Sequence, residues 1–174
     1  MLTVPKASPS SREISLILLK ANIAPHMAYL SLEAKIRGLM KGEVHKIHHE
    51  STIAEAAGVL LAKDIGSLVV TGTTGPVGLI TVRDILRKVT ATRADPGEVR
   101  VRDVMSSPLI SVGTEATVGE AAKKMTDMKI KRLGVTDDRG HLTGIVTMTD
   151  IVGYVASQEE LSDSLIRYLM HDVV

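Results

Sequence analysis

The sequence predicts an α/β (α+β) fold in which two β-α-β-β-α repeats pack with pseudo-two-fold symmetry, with extra helices at both ends. Two observations lead to this prediction. Met40 to Gly72 aligns with Met105 to Asp137 at a constant offset, so the chain contains an internal repeat. Each copy also alternates short apolar runs with longer stretches of helical periodicity, separated by turn residues. A three-stranded sheet with both helices on one face leaves its other face bare, and a second copy can cover it.

The N-terminal extension, residues 1–35, precedes the repeats. Helical spacing of apolar residues predicts one helix over Arg12–Asn22 and a second over His26–Met40, separated by Pro25. The first repeat is assigned to residues 36–91 and the second to residues 99–157. A polar linker broken by Pro and Gly, residues 92–98, joins them. Residues 158–174 are expected to hold one more amphipathic helix, over Glu159–Met170.

Each repeat is predicted to contain three strands and two helices, and the first helix begins at a capping Thr with Glu in its first turn. The elements predicted for the first repeat are Val44–His48, Thr52–Lys63, Ser67–Thr71, Val77–Thr81 and Val82–Ala91. Those predicted for the second are Leu109–Val112, Thr117–Met128, Arg132–Thr136, Leu142–Thr147 and Met148–Ala156.

Composition excludes several classes of function. The 174 residues include no Phe or Trp and three Tyr, so aromatic platforms for stacking nucleic-acid bases are almost absent. The formal charge of +1 gives no electrostatic signature of nucleic-acid binding. The absence of Cys excludes disulfides and thiolate metal sites, and no apolar run is long enough to span a membrane. We therefore expect a cytoplasmic protein that binds neither nucleic acid nor membranes.

The motif Thr-x-x-Asp closes the last strand of both repeats, as Thr81 to Asp84 and as Thr147 to Asp150. It has two interpretations. One is a capping box, in which Thr caps the helix and the acid reaches back. The other is a binding site, because a carboxylate beside a helix N-terminus can accept from a ribose diol while free N–H groups hold a phosphate. The two interpretations are compatible.

The motifs of the second repeat resemble a cystathionine-β-synthase (CBS) domain, and Met40 to Asp84 resembles a second copy. The chain therefore resembles a tandem CBS pair, or Bateman module, over roughly residues 36–157. The segments that carry the resemblance are Val104–Val112, Ala116–Ala122, Lys131–Val135 and Gly144–Asp150.

The resemblance implies a regulatory module that binds AMP, ADP, ATP or S-adenosylmethionine in two clefts between the repeats. In the family, the acid of the motif takes the ribose hydroxyls, the Thr lies near the phosphate, and a strand of the opposite repeat lines the adenine slot. The residues implied for one cleft are Thr147 and Asp150 with Lys41, Val44, His45 and Lys46. Those implied for the other are Thr81, Arg83 and Asp84 with Ser107, Pro108 and Leu109, while Lys131 and Arg132 stand where basic residues often bind phosphate.

The two clefts are expected to differ. Glu43 stands where the second repeat has Pro108, and an acid beside the entry strand is expected to repel phosphate from the cleft that contains Asp150. The resemblance also implies association as a homodimer through helices and regulation of an unidentified partner protein. The alternative function is a structural dimerisation or scaffold module with vestigial clefts.

We expect no enzymatic activity, because the paired motif supplies neither a nucleophile nor an oxyanion site, and there is no P-loop. No catalytic cofactor is expected, and the adenine nucleotide is a regulatory ligand. A metal site is not expected either. His45 and His48 face opposite sides of a strand, and no second cluster of ligands matches them.

Overall fold

The computed structural model of the chain describes residues 32–157, except for the side chain of Ala156. The predicted helices Arg12–Asn22 and Glu159–Met170 lie outside the described residues. The strands are β1 Lys46–His48, β2 Ser67–Gly72, β3 Gly75–Thr81, β4 Ser111–Gly113, β5 Arg132–Thr136 and β6 Leu142–Thr147. The helices are α1 Ile53–Ala62, α2 Val82–Ile85, α3 Val101–Val104, α4 Val118–Asp127 and α5 Met148–Ser157. A π-helical stretch, Leu86–Thr90, continues α2, and a 3-10 turn spans Ile36–Gly38.

The strands form two three-stranded sheets, ordered β1-β2-β3 and β4-β5-β6. In the first sheet β1 runs parallel to β2, whereas β3 runs antiparallel to it. The predicted mixed class and the repeated β-α-β-β-α order are therefore confirmed. Within residues 32–157, no helix has both the length and the apolar character needed to cross a membrane.

The described residues divide into two compact units that do not coincide with the repeats. The first-repeat unit comprises residues 42–111 and 142–144, and the second-repeat unit comprises residues 32–41, 112–141 and 145–157. The start of the first repeat, residues 36–41, thus belongs to the second-repeat unit. Residues 99–111, which open the second repeat, belong to the first-repeat unit.

The packing of the core explains why residues 99–111, which follow the linker, belong to the first-repeat unit. Val101 and Val104 of the short helix α3 are 0% and 2% exposed, and they pack in one cluster with residues of α1, β2 and β3. Val101 N donates to Ser51 O at 2.9 Å, which ties α3 to the turn before α1. Burying these two valines removes apolar surface from water and stabilises the unit.

The second-repeat unit receives a corresponding contribution from residues at the start of the first repeat and just before it. Ile36 is fully buried, and its backbone N donates to Ala116 O at 2.9 Å. Lys35 pairs with Thr117 in an antiparallel bridge. The predicted helix over His26–Met40 is therefore wrong at its C-terminal end, because the backbone N–H of Ile36 bonds to Ala116 rather than within a helix.

Helix starts follow the prediction, whereas one helix end does not. Thr52 with Glu55 and Thr117 with Glu120 form complete capping boxes at the starts of α1 and α4. The helix predicted over Val82–Ala91 is α-helical only in α2. The Thr92 hydroxyl donates to the carbonyls of Lys88 and Val89, and Ala91 N reaches back five residues to Leu86 O. These bonds accompany a π-helical turn over Leu86–Thr90, in place of the predicted α-helix.

Candidate functional site

The first Thr-x-x-Asp motif forms a fixed corner where β3 ends and α2 begins. Thr81 is both the last residue of β3 and the N-cap of α2. The Oδ2 atom of Asp84 accepts from the Thr81 backbone N at 3.0 Å and from Thr81 Oγ1 at 2.7 Å. Thr81 Oγ1 accepts in turn from the Asp84 backbone N at 3.1 Å. The capping-box interpretation is therefore confirmed, and these bonds hold the carboxylate in one orientation.

The Thr81 hydroxyl orients the acid. A hydroxyl has one hydrogen to donate, and Thr81 donates it to Asp84. That hydrogen is thus committed and does not point to an incoming group. The structure gives Thr81 a positioning role in addition to the proximity to phosphate that the sequence resemblance implies.

The second oxygen of the Asp84 carboxylate is open. Within residues 32–157, no protein group forms a hydrogen bond or ion pair with Asp84 Oδ1, and the residue is half-buried. Arg83, the preceding residue, is exposed, and its guanidinium has no hydrogen-bond partner in that part of the chain. A carboxylate oxygen that accepts nothing can accept two hydrogen bonds from a ligand.

A segment of the second repeat runs beside this corner, within the first-repeat unit. Ser106 N donates to Leu79 O at 2.8 Å, and Leu79 N donates to Ser106 O at 2.9 Å. Ser107 Oγ donates to Val77 O at 3.0 Å, and the peptide bond between Ser107 and Pro108 is cis. Ser107, Pro108 and Leu109 are therefore on a segment anchored to the strand that ends at Thr81, and their contact with a ligand stays a prediction.

Gly78 allows this close approach. A Cβ added at Gly78 would lie 2.5 Å from the backbone oxygen of Ser106 and 3.1 Å from the sulfur of Met105. Cβ atoms in proteins essentially never lie this close to a backbone oxygen. Either β3 or the Met105–Ser106 segment would therefore have to move. Gly78 is thus required for the Met105–Leu109 segment to pack against β3 and form one wall of the candidate site.

The second Thr-x-x-Asp motif has the same internal geometry in the second-repeat unit. Asp150 Oδ2 accepts from Thr147 N at 2.8 Å and from Thr147 Oγ1 at 2.6 Å, and Thr147 Oγ1 accepts from Asp150 N at 3.2 Å. Met148 N, at the start of α5, donates to Lys131 O at 2.9 Å. Lys131 is therefore adjacent to this corner, whereas Gly66 O bonds to Val82 N at 3.2 Å in the other one.

One contact distinguishes the two corners. Lys41 exchanges backbone hydrogen bonds with Ile145, at 2.9 and 3.0 Å, and its Nζ lies 3.1 Å from Asp150 Oδ1. The Asp150 side chain is 14% exposed and that of Lys41 is 67% exposed. At the first corner Ser106 occupies the position of Lys41, and its short side chain brings no positive charge to Asp84.

The remaining predicted residues are placed as follows. Val44, His45 and Lys46 belong to the first-repeat unit, and their pairing with Asp150 stays a prediction. His45 Nε2 lies 3.6 Å from Glu43 Oε1. Arg132 is half-buried at the start of β5. In the described part of the chain, no three His, Asp or Glu side chains come together in a way that could hold a metal ion.

Two contacts of the site were not given by the sequence. The resemblance placed Lys41 in one cleft with Asp150 but gave no ion pair between them, and that pair depends on residues 36–41 packing with the second repeat. Lys88 Nζ donates to Val104 O at 2.6 Å, which joins the helix after Asp84 to the helix before Ser107.

A separate surface pocket of about 420 Å³ lies in the first-repeat unit, between α1 and the π-helical stretch. Its lining is mainly apolar, with Ile53, Ala57, Ile85 and Val89 on its walls and Arg93 at its edge. It offers one charged side chain and no carboxylate to orient a polar ligand. The Asp84 corner therefore remains the candidate site in this unit.

Comparison with known proteins identifies the repeated motif. A family model described as CBS domain matches residues 36–91 and again residues 101–157. An uncharacterized protein of Methanopyrus kandleri is 44% identical over 102 residues, which make up 58% of this chain and 52% of that protein. The chain therefore spans about half the length of this relative.

Solved structures share the architecture. A conserved CBS domain protein of unknown function from Thermoplasma acidophilum gives a TM-score of 0.69 at 26% identity, covering 80% of this chain and 76% of that chain. A hexameric CBS-CP12 protein from bloom-forming cyanobacteria gives a TM-score of 0.64 at 29% identity, covering 69% of this chain and 71% of that chain.

Proposed function

Because this chain belongs to the CBS domain family and carries two copies of the domain in tandem, we propose that it is a regulatory module that senses adenosine-containing nucleotides. The ligands are AMP, ADP, ATP or S-adenosylmethionine. The ligand changes the contacts of the module with an unidentified partner protein. A ligand shifts such an equilibrium only through different contacts in the two states.

The observation that supports the proposal is the open oxygen of Asp84. Thr81 takes Oδ2 with two hydrogen bonds, and Oδ1 accepts nothing from residues 32–157. A ribose diol presents two adjacent O–H donors, and hydrogen bonds to a charged carboxylate are among the stronger ones. Since the carboxylate is already oriented, little conformational freedom is lost when the diol binds.

Neighbouring groups suit the rest of a nucleotide. Arg83 is exposed beside Asp84 and can bind phosphate oxygens through its guanidinium. Pro108 and Leu109 follow the anchored Ser107 and provide apolar surface for an adenine ring. Lys131, adjacent to the Asp150 corner, would be the corresponding cation there.

The module is proposed to act without catalysis and as a homodimer or larger assembly. The motif provides a carboxylate and a hydroxyl that are bonded to each other, an arrangement that holds a ligand but supplies no activated nucleophile. Leu61 and Leu86 are 85% and 54% exposed on helices of the first-repeat unit, which supports association through helices. The structurally similar CBS-CP12 protein is hexameric.

Isothermal titration of the full chain with the four ligands tests the proposal. The sharpest variant is Asp84→Asn, because the amide oxygen can keep both bonds from Thr81 while the amide NH₂ replaces the open acceptor. We expect affinity at this corner to fall at least about tenfold without loss of folding. Asp64→Asn is the matched control. Asp64 makes no side-chain bond within residues 32–157, and its φ of 50° suits Asn.

The scaffold alternative makes the opposite prediction. It is favoured by the ion pair between Lys41 and Asp150, which leaves one of the two corners without an open oxygen. If none of the four ligands produces heat or a thermal shift, the module has vestigial clefts and the sensing function is wrong. Equal affinity of wild type and Asp84→Asn would reject the ribose assignment alone.

A further inference from the structure

The two Thr-x-x-Asp corners are alike in their internal bonds and differ in the group that faces the second carboxylate oxygen. At Asp150 that oxygen lies 3.1 Å from the Lys41 ammonium. At Asp84 no group of residues 32–157 takes it. The difference arises from one aligned position, since Lys41 of the first repeat corresponds to Ser106 of the second.

The position of the ammonium is set by the backbone. Lys41 N and O both bond to Ile145, at 2.9 and 3.0 Å, in a strand-like bridge next to the corner. Ser106 and Leu79 form the equivalent bridge beside Asp84, at 2.8 and 2.9 Å. A side chain at either position therefore starts from the same place relative to its carboxylate, and only the lysine is long enough and charged.

The ammonium competes for the group that a diol needs. Asp150 Oδ2 already accepts from Thr147 N and Oγ1, and Lys41 takes Oδ1. A ribose at this corner has to displace a cation that is attracted to the carboxylate. Asp150 is mostly buried, at 14% exposure, whereas the ammonium end lies on a side chain that is 67% exposed. The pair is thus partly screened by solvent, and its displacement is costly without being prohibitive.

We propose that Lys41 is a specificity-determining residue that withdraws Asp150 from ribose binding. The Asp84 corner then binds a nucleotide with a ribose diol more tightly than one without it, whereas the Asp150 corner distinguishes the two only weakly. This inference rests on the proposed function, since it assigns different roles to two corners of the same kind. Removal of an ion pair that is exposed to this extent is expected to change the affinity of the Asp150 corner for the diol about fivefold.

The experiment isolates each corner in the full chain and measures what the diol contributes. Asp84→Asn leaves only the Asp150 corner intact, and Asp150→Asn leaves only the Asp84 corner. The probes are AMP and 2′,3′-dideoxy-AMP, which differ in the diol alone. Their affinity ratio, from isothermal titration, cancels any effect of Lys41 on the phosphate.

Reciprocal substitutions exchange the aligned residues. In the Asp84→Asn background, Lys41→Ser is expected to raise the affinity ratio of AMP to its dideoxy analogue about fivefold. In the Asp150→Asn background, Ser106→Lys is expected to lower that ratio about fivefold. Lys35→Ser is the control, because it removes the same charge from the same unit. Lys35 is exposed and makes no side-chain bond within residues 32–157.

The outcomes separate the two proposals. Ratios that move in opposite directions in the two backgrounds support the role of Lys41. AMP binding with ratios that neither substitution changes would overturn that role and leave the sensing function intact. Absence of AMP binding to the wild type and to every variant would overturn both. Melting temperatures equal to that of the parent variant show that each substitution left the fold unchanged.

Discussion

The ammonium group of Lys88 donates a 2.6 Å hydrogen bond to the backbone oxygen of Val104. Lys88 lies in the π-helical stretch that continues the helix carrying Asp84, and Val104 ends α3 just before the Met105–Leu109 segment. The bond therefore ties the carboxylate side of the candidate site to its opposite wall. A cation at the last carbonyl of a helix is also favoured by the helix dipole.

Lys88→Met should remove this link while keeping most of the apolar stem. We expect the free energy of unfolding to fall by about 1 kcal/mol, since a charged hydrogen bond at a helix C-terminus is lost. Urea denaturation followed by circular dichroism measures it. Arg87→Met is the matched control, as Arg87 is exposed and makes no side-chain bond in the described part of the chain. Equal losses in both variants would contradict the proposed link.

Gly78→Ala should be one of the more damaging single-methyl additions in the first-repeat unit. The new Cβ would meet the backbone oxygen of Ser106 at 2.5 Å, and backbone cannot give way as a flexible side chain can. Overpacking of this kind typically costs about 1–3 kcal/mol. We expect that loss in chemical denaturation, together with weaker nucleotide binding because the Ser106–Ser107 segment is displaced.

Gly58→Ala is the matched control for Gly78→Ala, and it is expected to raise rather than lower the free energy of unfolding. Gly58 lies in the interior of α1, and an added Cβ would meet nothing within 4 Å. Alanine has a higher helix propensity, so we expect stabilisation by about 0.5–1 kcal/mol. Similar effects of the two substitutions would show that close approach at Gly78 is not what fixes the segment.

Glu55 should give the stability of the first-repeat unit a defined pH dependence. The hydrogen bond from Thr52 N, together with those from the Ser51 and Thr52 side chains and the charge of Arg100, lowers the pKa of Glu55 below its ordinary value of 4.5, against an opposing effect of desolvation. Because the folded pKa lies below the unfolded one, this stabilisation is fully present above the unfolded pKa. It is lost as the pH falls through the folded pKa.

The comparison of wild type with Glu55→Gln tests this sign. Gln keeps a hydrogen-bond acceptor for Thr52 N but does not titrate, so the stability advantage of the wild type should be largest near neutral pH and shrink below pH 4.5. Urea midpoints between pH 7 and pH 3 measure it. Glu98→Gln is the matched control for the loss of one carboxylate, because Glu98 makes no side-chain bond within residues 32–157. A constant advantage at every pH would refute the assignment.

Local sequence signals predicted the fold and the bonds within each corner well. Thr52 with Glu55 and Thr117 with Glu120 are spaced as capping boxes, and the structure has both. The same spacing predicted the bonds between Thr81 and Asp84. The strands Arg132–Thr136 and Leu142–Thr147 have the predicted bounds, since alternation and turn residues define them locally.

The remaining features depend on which distant segments meet, and local patterns do not encode that. Ile36 reads as a helical residue in sequence, yet its backbone bonds to Ala116. Val101 and Val104 follow the linker and were assigned to the second repeat, yet they complete the core of the first-repeat unit. The contact of Lys41 with Asp150 follows from the same exchange of segments, so the chemical difference between the corners was only partly visible in the sequence.

That exchange of segments also constrains the order of events as the chain is synthesised. Ile36 leaves the ribosome long before Ala116, the residue that takes its backbone N–H, and its apolar side chain has no completed core to enter until then. The first-repeat unit also waits for Val101 and Val104, beyond the linker. The first half therefore cannot finish folding when its own repeat has been translated, and the segment around Ile36 has to wait until the second repeat has been made. A nascent chain stalled at the linker would expose apolar surface, the state on which chaperones act.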